Sequence, residues 1–213
     1  MNQVMLATAN PHKVDEMRAI FSELLPGFVI RGLADAAPVP LPEPPETGKT
    51  FLENATIKAV AYARATGQAC LADDSGLEID ALGGRPGVIS SHYCTDGREA
   101  GMTRSQRDSA NNQRVLTELR GVWPEDRTGR FVCVMVIADP TGKVLATARG
   151  EFPGRIGEDG QVPRGAHGFG YDPLFLVGPE FDRTSSELDP STKNRLSHRR
   201  KAAEQLARII QSL

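Results

Sequence analysis

Two adjacent acids, Asp73 and Asp74, come directly after the apolar stretch 68–71, and few folds tolerate charge at such a place. An apolar stretch of this length is typical of a buried strand, which would carry both carboxylates to the edge of a β-sheet. Neighbouring carboxylates repel each other, so they need a cation, a proton or amide donors close by. The run 73–76 also contains turn-forming residues, so a plain polar turn that closes the strand is the alternative.

Apolar spacing and capping residues predict the order of strands and helices. The chain starts with a strand over Val4–Ala7, a loop over Thr8–Lys13 and a helix. A capping box of Thr50 and Glu53 predicts a helix over 51–66, on which Asn54 and Lys58 share one face. The other predicted elements are a strand over 28–33, an extended Pro-rich connection over 38–45, a helix over 105–120, a hairpin of strands 130–138 and 143–152, and a last helix from Asp189 and Pro190 to Leu213.

The charge balance argues against a nucleic-acid backbone as the main partner. The chain of 213 residues has a formal net charge of −2, which provides no bulk positive field. We therefore expect a small substrate. The three cysteines lack C-x-x-C spacing, no apolar run approaches bilayer length, and the start of the sequence has no signal-peptide pattern. These features predict a cytoplasmic protein with no membrane partner.

The loop Thr8–Lys13 could hold an anion, because backbone amides and the helix dipole meet at a strand-to-helix turn. Lys13 would add a full positive charge. Taken alone, the loop is better explained by turn chemistry, because Asn and Pro are common at strand-to-helix turns. The loop lacks the G-x-x-x-x-G-K-[ST] pattern, which disfavours an ordinary phosphate-loop nucleotidase.

Glu46 ends the Pro-rich stretch and could be held over the helix that carries Lys58. It would then be a third acid near Asp73 and Asp74. Mg²⁺ binds few protein carboxylates and keeps waters and substrate phosphates as its other ligands, so a site with two or three acids fits this ion. The alternative is a solvated glutamate, like Glu43 in the same loop. Acids for a metal together with bases for an anion predict a metal-assisted site for a phosphorylated substrate.

The segment 163–173 combines three glycines with two aromatic residues, Phe169 and Tyr171. Glycine lets the backbone approach a ligand and an exposed aromatic ring can stack on a base, so the segment resembles a base-binding loop. A glycine-hinged turn whose aromatic rings pack on the core is the alternative. On the last predicted helix, two polar pairs lie four residues apart and could face one region, or could simply form a solvated face: Lys193 with Ser197, and Asn194 with His198.

Taken in order, these segments resemble the signature segments of the inosine triphosphate pyrophosphatase family, whose members are also called Ham1-like or RdgB-like. The matching stretches are LATANPHK, ETGKTFLENATIKA, ADDSGLEIDALGGRPGVISSHY, VPRGAHGFGYDPLF and SELDPSTKNRLSHRRKA. They extend from the first strand to the last helix. The resemblance implies one α/β domain over 1–213, elongated, with a long twisted mixed β-sheet, two lobes flanked by helices and a central substrate cleft. It also implies a homodimer.

The resemblance implies a Mg²⁺-dependent reaction that hydrolyses ITP, dITP and XTP to the monophosphate and pyrophosphate, and so removes deaminated purines from the nucleotide pool. Glu46 and Asp74 would hold the metal, Asp74 would also activate the attacking water, and Asp73 and Lys58 would complete the catalytic set. Lys58 and Lys193 would add positive charge near the triphosphate. The other residues implied to contact substrate are Thr8, Ala9, Asn10, Pro11, His12 and Lys13 at the triphosphate, Ser75, then Phe169, Gly170, Tyr171 and Asp172 at the base, and His198 and Arg199 at the oxygen edge of the purine.

One departure from the family pattern occurs at Ser91-His92, where the family often has Ala-Arg. The contribution that this arginine would make to the site or to the dimer contact is therefore not expected here, and His92 would replace it only in part. Two other functions remain open at this point. One is a Maf-like nucleotide pyrophosphatase that acts on modified pyrimidine or methylated nucleotides, and the other is a non-catalytic nucleotide-binding module.

Overall fold

A computed structural model describes residues 1–8, 11–35 and 41–212, and their strands form one six-stranded sheet. The strands are β1 (Gln3–Leu6), β2 (Val29–Gly32), β3 (Cys70–Ile79), β4 (Thr128–Ala138), β5 (Val144–Ile156) and β6 (Phe175–Val177). Their order is β2-β1-β3-β4-β5-β6. Because β1 is parallel to β2 and β3 whereas β5 is antiparallel to β6, the predicted mixed sheet is confirmed.

The helices of the described chain are α1 (Pro11–Leu24), α2 (Phe51–Thr66), α3 (Arg104–Glu118), α4 (Pro190–Leu196) and α5 (His198–Ser212). The sheet with its flanking helices confirms the α/β class. The bounds predicted for α2 are confirmed, and its N-terminus carries the predicted capping box of Thr50 and Glu53. None of these helices combines the length and the apolar character that a bilayer-spanning segment requires.

The predicted hairpin is confirmed as β4, a tight turn and β5. The Asp139 amide donates to the Lys143 carbonyl at 2.9 Å, and the Gly142 amide donates to the Asp139 carbonyl at 2.9 Å. So short a connection can join only antiparallel neighbours, since parallel strands need a crossover of about a dozen residues or more. Of the Pro-rich connection, residues 38–40 lie outside the described residues, and residues 41–45 have no regular structure.

The sequence predicts that β3 ends before the acids. In the structure β3 continues past them and carries Asp73 and Asp74 in its interior. It occupies the third place in the sheet, with β1 and β4 as neighbours. Leu77 and Ile79 are completely buried, and this burial keeps the chain extended beyond the turn-forming residues. Both the plain turn and the position of the acids after a strand end are therefore wrong.

The predicted last helix is divided into α4 and α5. Asp189 caps α4 as predicted, since its Oδ1 accepts the Thr192 amide at 3.0 Å. Ser197 ends α4 in an extended conformation, with φ −63° and ψ 147°. The two polar pairs four residues apart therefore do not lie on one continuous helix. The predicted buried stripe is found on α5 at Ala202, Ala203, Leu206 and Ile210, whereas the predicted Ile209 is only partly buried and Leu213 lies outside the described residues.

Two compact units divide the described chain. The first comprises Met1–Ser75, Cys133–Gly150 and His198–Leu213, and the second comprises Gly76–Val132 and Glu151–Ser197. The core of the first unit includes Phe21, Leu71, Met135 and Leu206. The core of the second includes Leu77, Tyr93, Leu119 and Phe175. Each unit therefore has a hydrophobic core of its own, whereas the elongated shape and the central cleft stay predictions.

Helix α5 lies against β5 backbone to backbone at Gly150. A Cβ atom there would be 2.1 Å from the His198 carbonyl oxygen and 2.3 Å from the Ala202 amide nitrogen. Backbone atoms cannot move aside as a side-chain tip does, so we expect Gly150→Ala to lower the free energy of unfolding by about 1–3 kcal/mol. Urea denaturation measures this loss. Thr147→Ala, an exposed change on the same strand, is the control and should stay within about 0.5 kcal/mol of the parent; equal stabilities for the two variants would contradict the close contact.

Candidate active site

The two acids of β3 contact different helices, as expected for successive strand residues whose side chains alternate between faces. Asp73 Oδ1 lies 3.3 Å from Lys13 Nζ on α1, and its Oδ2 lies 3.6 Å from a guanidinium nitrogen of Arg199 on α5. Asp74 Oδ1 instead accepts from Lys58 Nζ on α2 at 3.0 Å. The two carboxylates are therefore paired with different lysines, Asp73 with Lys13 and Asp74 with Lys58.

Asp73 is the centre of an ion-pair network in the first unit. Burial alone would raise the pKa of its carboxyl group, but the positive charges of Lys13, Arg199 and Lys58 hold that pKa well below its usual range. Arg199 also lies 3.2 Å from Glu16 Oε2 on α1. Burial would lower the pKa of its guanidinium, yet the carboxylates of Asp73 and Glu16 raise it. Asp73 therefore stays ionised and acts as a fixed negative charge.

Lys58 joins the two predicted metal ligands. Its Nζ lies 3.0 Å from Glu46 Oε1 and 3.0 Å from Asp74 Oδ1. Both Lys58 and Asp74 are buried. Burial would lower the pKa of Lys58, but the carboxylates around it, Asp74 first, raise it. The ammonium group therefore stays charged and holds the two acids together.

Asp74 differs from Asp73 in that its carboxylate is only half satisfied. Its Oδ2 atom is buried and has no hydrogen-bond partner among the described residues. Burial raises the pKa of Asp74 to about 6, with Lys58 acting against the rise and Glu46 adding to it. A buried carboxylate oxygen without a partner is unfavourable, so an atom in this state commonly marks a place for a ligand, a water or an ion.

The chain after Glu46 is anchored to the N-terminus of α2. The Gly48 amide donates to Asn54 Oδ1 at 2.8 Å. A Cβ on Gly48 would lie 2.6 Å from that same oxygen, so glycine is required for the close approach. Glu46 is thereby held beside Lys58 and is ion-paired rather than freely solvated.

Glu46 and Asp74 provide carboxylate oxygens of the kind that Mg²⁺ prefers, and the unpartnered Asp74 Oδ2 fits such a ligand. Over residues 1–8, 11–35 and 41–212, no group of three or more His, Cys, Asp or Glu side chains could hold a metal ion. A metal bound by these two acids would need waters and substrate phosphates as its other ligands. This is the usual manner in which proteins bind Mg²⁺.

The loop predicted to hold the triphosphate lies between β1 and α1. Thr8 follows β1, Ala9 and Asn10 lie outside the described residues, and Pro11 and His12 are the first two residues of α1. Lys13, in the first turn of α1, is paired with Asp73. Contact of this loop with a triphosphate stays a prediction.

The predicted contacts of Ser75, His198 and Arg199 also stay predictions. Ser75 is half-buried within β3, and His198 is the first residue of α5. The Arg199 guanidinium is held by Asp73 and by Glu16, a residue that sequence reasoning missed. The sequence feature that could have identified Glu16 is its position three residues after Lys13, which places both side chains on one face of a helix.

In the second unit, Asp172 joins several of the predicted base contacts. It is buried, and its Oδ2 accepts the Phe169 amide at 2.8 Å and also a hydrogen bond from Lys193 Nζ. Its Oδ1 accepts from Ser185 Oγ at 2.9 Å. The structure therefore brings Phe169 and Asp172 together, and it also places Lys193 beside them, whereas the family resemblance implies Lys193 as a charge near the triphosphate.

The two aromatic residues of the glycine-rich segment have different environments. Phe169 is 58% exposed, whereas Tyr171 is buried and its hydroxyl donates to the Ser90 carbonyl at 2.7 Å. The ring of Tyr171 is thus a core side chain and cannot stack on a base, so this part of the prediction is wrong. Phe169 retains an accessible ring beside Gly170.

A cavity of about 720 Å³ lies in the second unit between α3 and the glycine-rich segment. Its lining includes Arg104, Asp108 and Asn112 of α3 together with Phe169 and Gly170. Sequence reasoning missed these three helix residues as part of a site. The sequence feature that could have identified them is their spacing of four residues, which places polar side chains in one row along a helix.

Residues 4–209 match the model of the Ham1 family. The chain is 41% identical over 212 residues to a Bacillus subtilis (strain 168) protein named dITP/XTP pyrophosphatase, and the match covers 100% of this chain and 98% of that relative. It is also similar to the solved structure of a HAM1 protein from Coxiella burnetii, with a TM-score of 0.82, 38% identity and full coverage of both chains. The Staphylococcus aureus Ham1 structure matches with a TM-score of 0.80 and 32% identity over 99% of this chain and 98% of that one. The chain therefore belongs to the Ham1 family.

Proposed function

We propose that this protein hydrolyses the triphosphates of deaminated purine nucleosides, namely ITP, dITP and XTP, to the monophosphate and pyrophosphate. The observation that carries the proposal is the buried cluster in which Lys58 Nζ lies 3.0 Å from both Glu46 and Asp74 while Asp74 Oδ2 has no partner among the described residues. The relative from Bacillus subtilis, similar over 98% of its length, is named dITP/XTP pyrophosphatase, which supports the substrate class.

Asp74 is suited to orient and deprotonate a water molecule. Lys58 holds its Oδ1, which leaves Oδ2 as the atom that can accept a hydrogen bond from water. The water oxygen would attack the α-phosphorus, its proton would pass to Asp74, and the bond between the α-phosphorus and the bridging oxygen would break. Pyrophosphate leaves with that oxygen. A carboxylate so placed can contribute about 10²–10⁴-fold to such a step.

Positive charge near the reacting phosphate is the second requirement, because charge develops on the leaving pyrophosphate. Lys58 remains charged in its buried position, and Lys13 lies in the first turn of α1. Glu46 and Asp74 would hold Mg²⁺, which when bound polarises phosphate oxygens and offsets the charge on the leaving group. We also propose a homodimer, on the basis of the family resemblance, and a cytoplasmic location, because an odd number of cysteines without C-x-x-C spacing suits a reducing compartment.

The second unit has the groups suited to a purine. Phe169 exposes more than half of its side chain beside the cavity of about 720 Å³. An accessible ring can stack on a base, which contributes about 1–3 kcal/mol. Lys193 Nζ lies 5.9 Å from the centroid of that ring and places a donor beside it. These groups support recognition of a base rather than of a phosphate chain alone.

Pyrophosphate release across a nucleotide panel tests the proposal. We expect turnover of ITP, dITP and XTP with Mg²⁺ and a fall to background when a chelator removes the metal, because two carboxylates and a lysine cannot offset the charge of a triphosphate alone. Rates that are unchanged in the chelator would contradict the metal dependence. Faster release from modified pyrimidine or methylated nucleotides would favour the Maf-like alternative, and binding of ITP without product would favour the non-catalytic one.

A further inference from the structure

The exposed Phe169 is held more firmly than its exposure alone suggests. The Phe169 amide donates to Asp172 Oδ2 at 2.8 Å, which fixes the backbone on one side of the ring. On the other side, the Gly170 amide donates to Asp108 Oδ2 at 3.1 Å. The Gly170 carbonyl accepts from Asn112 Nδ2, also at 3.1 Å. Both polar backbone groups of Gly170 are thus bound by side chains of α3.

Arg104 contacts the ring itself. Its guanidinium carbon lies 4.3 Å from the centroid of Phe169, within the range of a cation–π interaction. Its Nε also lies 3.9 Å from Asp108 Oδ2, so the two residues support each other along the helix. One face of the ring is therefore covered by a positive group that belongs to α3.

Arg104, Asp108 and Asn112 follow one another at intervals of four residues and so form one row on α3. The helix that carries the row is itself fixed within the second unit. Asn111 is buried, its Oδ1 accepts the Cys94 amide at 2.7 Å, and its Nδ2 donates to the carbonyl of Ser90 at 3.2 Å. A row on a fixed helix can hold a loop in one conformation.

We propose that Arg104, Asp108 and Asn112 are positioning residues that keep the Phe169 ring and the Gly170 backbone in the orientation needed to receive the purine. This inference rests on the proposed function and adds residues to it. A ring that is already ordered loses little conformational entropy when the base stacks on it, so the three α3 residues should strengthen substrate binding. The reacting phosphate is handled by other groups, among them Lys58 and Asp74. The row should therefore affect KM and leave kcat almost unchanged.

Asn112→Asp is the first test, because it keeps the size of the side chain but removes the donor to the Gly170 carbonyl. We expect KM for ITP to rise about 3- to 10-fold with kcat within about twofold of the parent, as follows from the loss of one ordered side chain. Gln211→Glu is the matched control, since it makes the same charge change at an exposed position of α5 that does not line the cavity. Gln211→Glu should leave both constants unchanged.

Asp108 allows a test of rescue by a similar side chain. Asp108→Ala removes the acceptor of the Gly170 amide and should raise KM, whereas Asp108→Asn keeps an acceptor oxygen and should restore KM to near the parent value. Amide hydrogen exchange over 168–171 should be faster in Asp108→Ala than in Asp108→Asn. Arg104→Ala, at an exposed position, provides the same measurement of KM if Asp108→Ala does not fold.

The outcomes separate this inference from the function on which it rests. A parent protein that releases no pyrophosphate from ITP would overturn both. A parent that is active, with KM unchanged in Asn112→Asp and Asp108→Ala, would overturn the positioning row alone. Equal rises in KM for Asn112→Asp and Gln211→Glu, or a fall in kcat at constant KM, would also overturn it.

Discussion

Replacement of Asp74 by asparagine is expected to reduce kcat for ITP by about 10³-fold while the protein remains folded. Asparagine has the same shape and its oxygen can still accept from Lys58, but it cannot take a proton from water. Removal of a positioned base commonly lowers a rate by about 10²–10⁴-fold. Lys58 keeps Glu46 as a partner at 3.0 Å, so the ammonium group is not left unpaired in the interior. Steady-state kinetics of pyrophosphate release measure the loss.

Stability should not follow activity in this variant. Asp74 is a buried carboxylate with one unpartnered oxygen, and burial of such a charge is unfavourable. We therefore expect the Tm of Asp74→Asn, measured in a chelator, to lie within about 4 °C of the parent, which corresponds to about 1 kcal/mol in a chain of this size. Glu78→Gln is the control, because it makes the same chemical change on β3 in a carboxylate that lies 3.7 Å from Arg130. An active Asp74→Asn would remove Asp74 from catalysis.

ITP is expected to be hydrolysed with a kcat/KM at least about 10²-fold higher than that of ATP. The two bases differ at position 6, where hypoxanthine presents an oxygen acceptor and adenine presents an amino donor. A donor of the protein that faces this position would meet a second donor in ATP, and each group left unpaired in a closed site costs about 1–3 kcal/mol. Sites built around such a hydrogen bond reject the wrong partner strongly.

A purine nucleoside triphosphate with hydrogen at position 6 provides the control for this comparison. It lacks the acceptor but adds no opposing donor, so its kcat/KM should fall between those of ITP and ATP. GTP retains the oxygen at position 6 and separates the effect of the amino group at position 2. Comparable values of kcat/KM for ITP and ATP would contradict selection at position 6 and would indicate that the protein recognises the triphosphate and not the base.

Local signals predicted the helix α2 well and the ends of β3 poorly, for one physical reason. The capping box of α2 needs only Thr50 and Glu53, three residues apart, so the information lies within one turn. The continuation of β3 through Asp73 and Asp74 depends instead on the burial of Leu77 and Ile79 in a core formed by distant segments. Turn-forming residues were outweighed by that burial, which no short window of sequence contains.

The glycine-rich segment illustrates the same limit at a site. Its composition predicted an accessible aromatic ring, and Phe169 is one, but composition did not distinguish Phe169 from Tyr171 two residues later. The distinction depends on the Ser90 carbonyl, which accepts from the Tyr171 hydroxyl and is far away along the chain. Likewise the positions of Asp108 and Asn112 beside Gly170 require the packing of α3 against the segment.

The sequence by itself determined which chemical groups this protein has, because the acids, the lysines and the glycine-rich segment each belong to a short local motif. Only the tertiary structure decided how the charges are divided. Asp73 is assigned to Lys13 and Arg199, and Asp74 is assigned to Lys58 and Glu46. The reason is that a strand directs successive side chains to opposite faces, and the helix that packs on each face supplies the cation. Those helices come from distant parts of the chain, and Lys13 on α1, for example, lies 60 residues before Asp73.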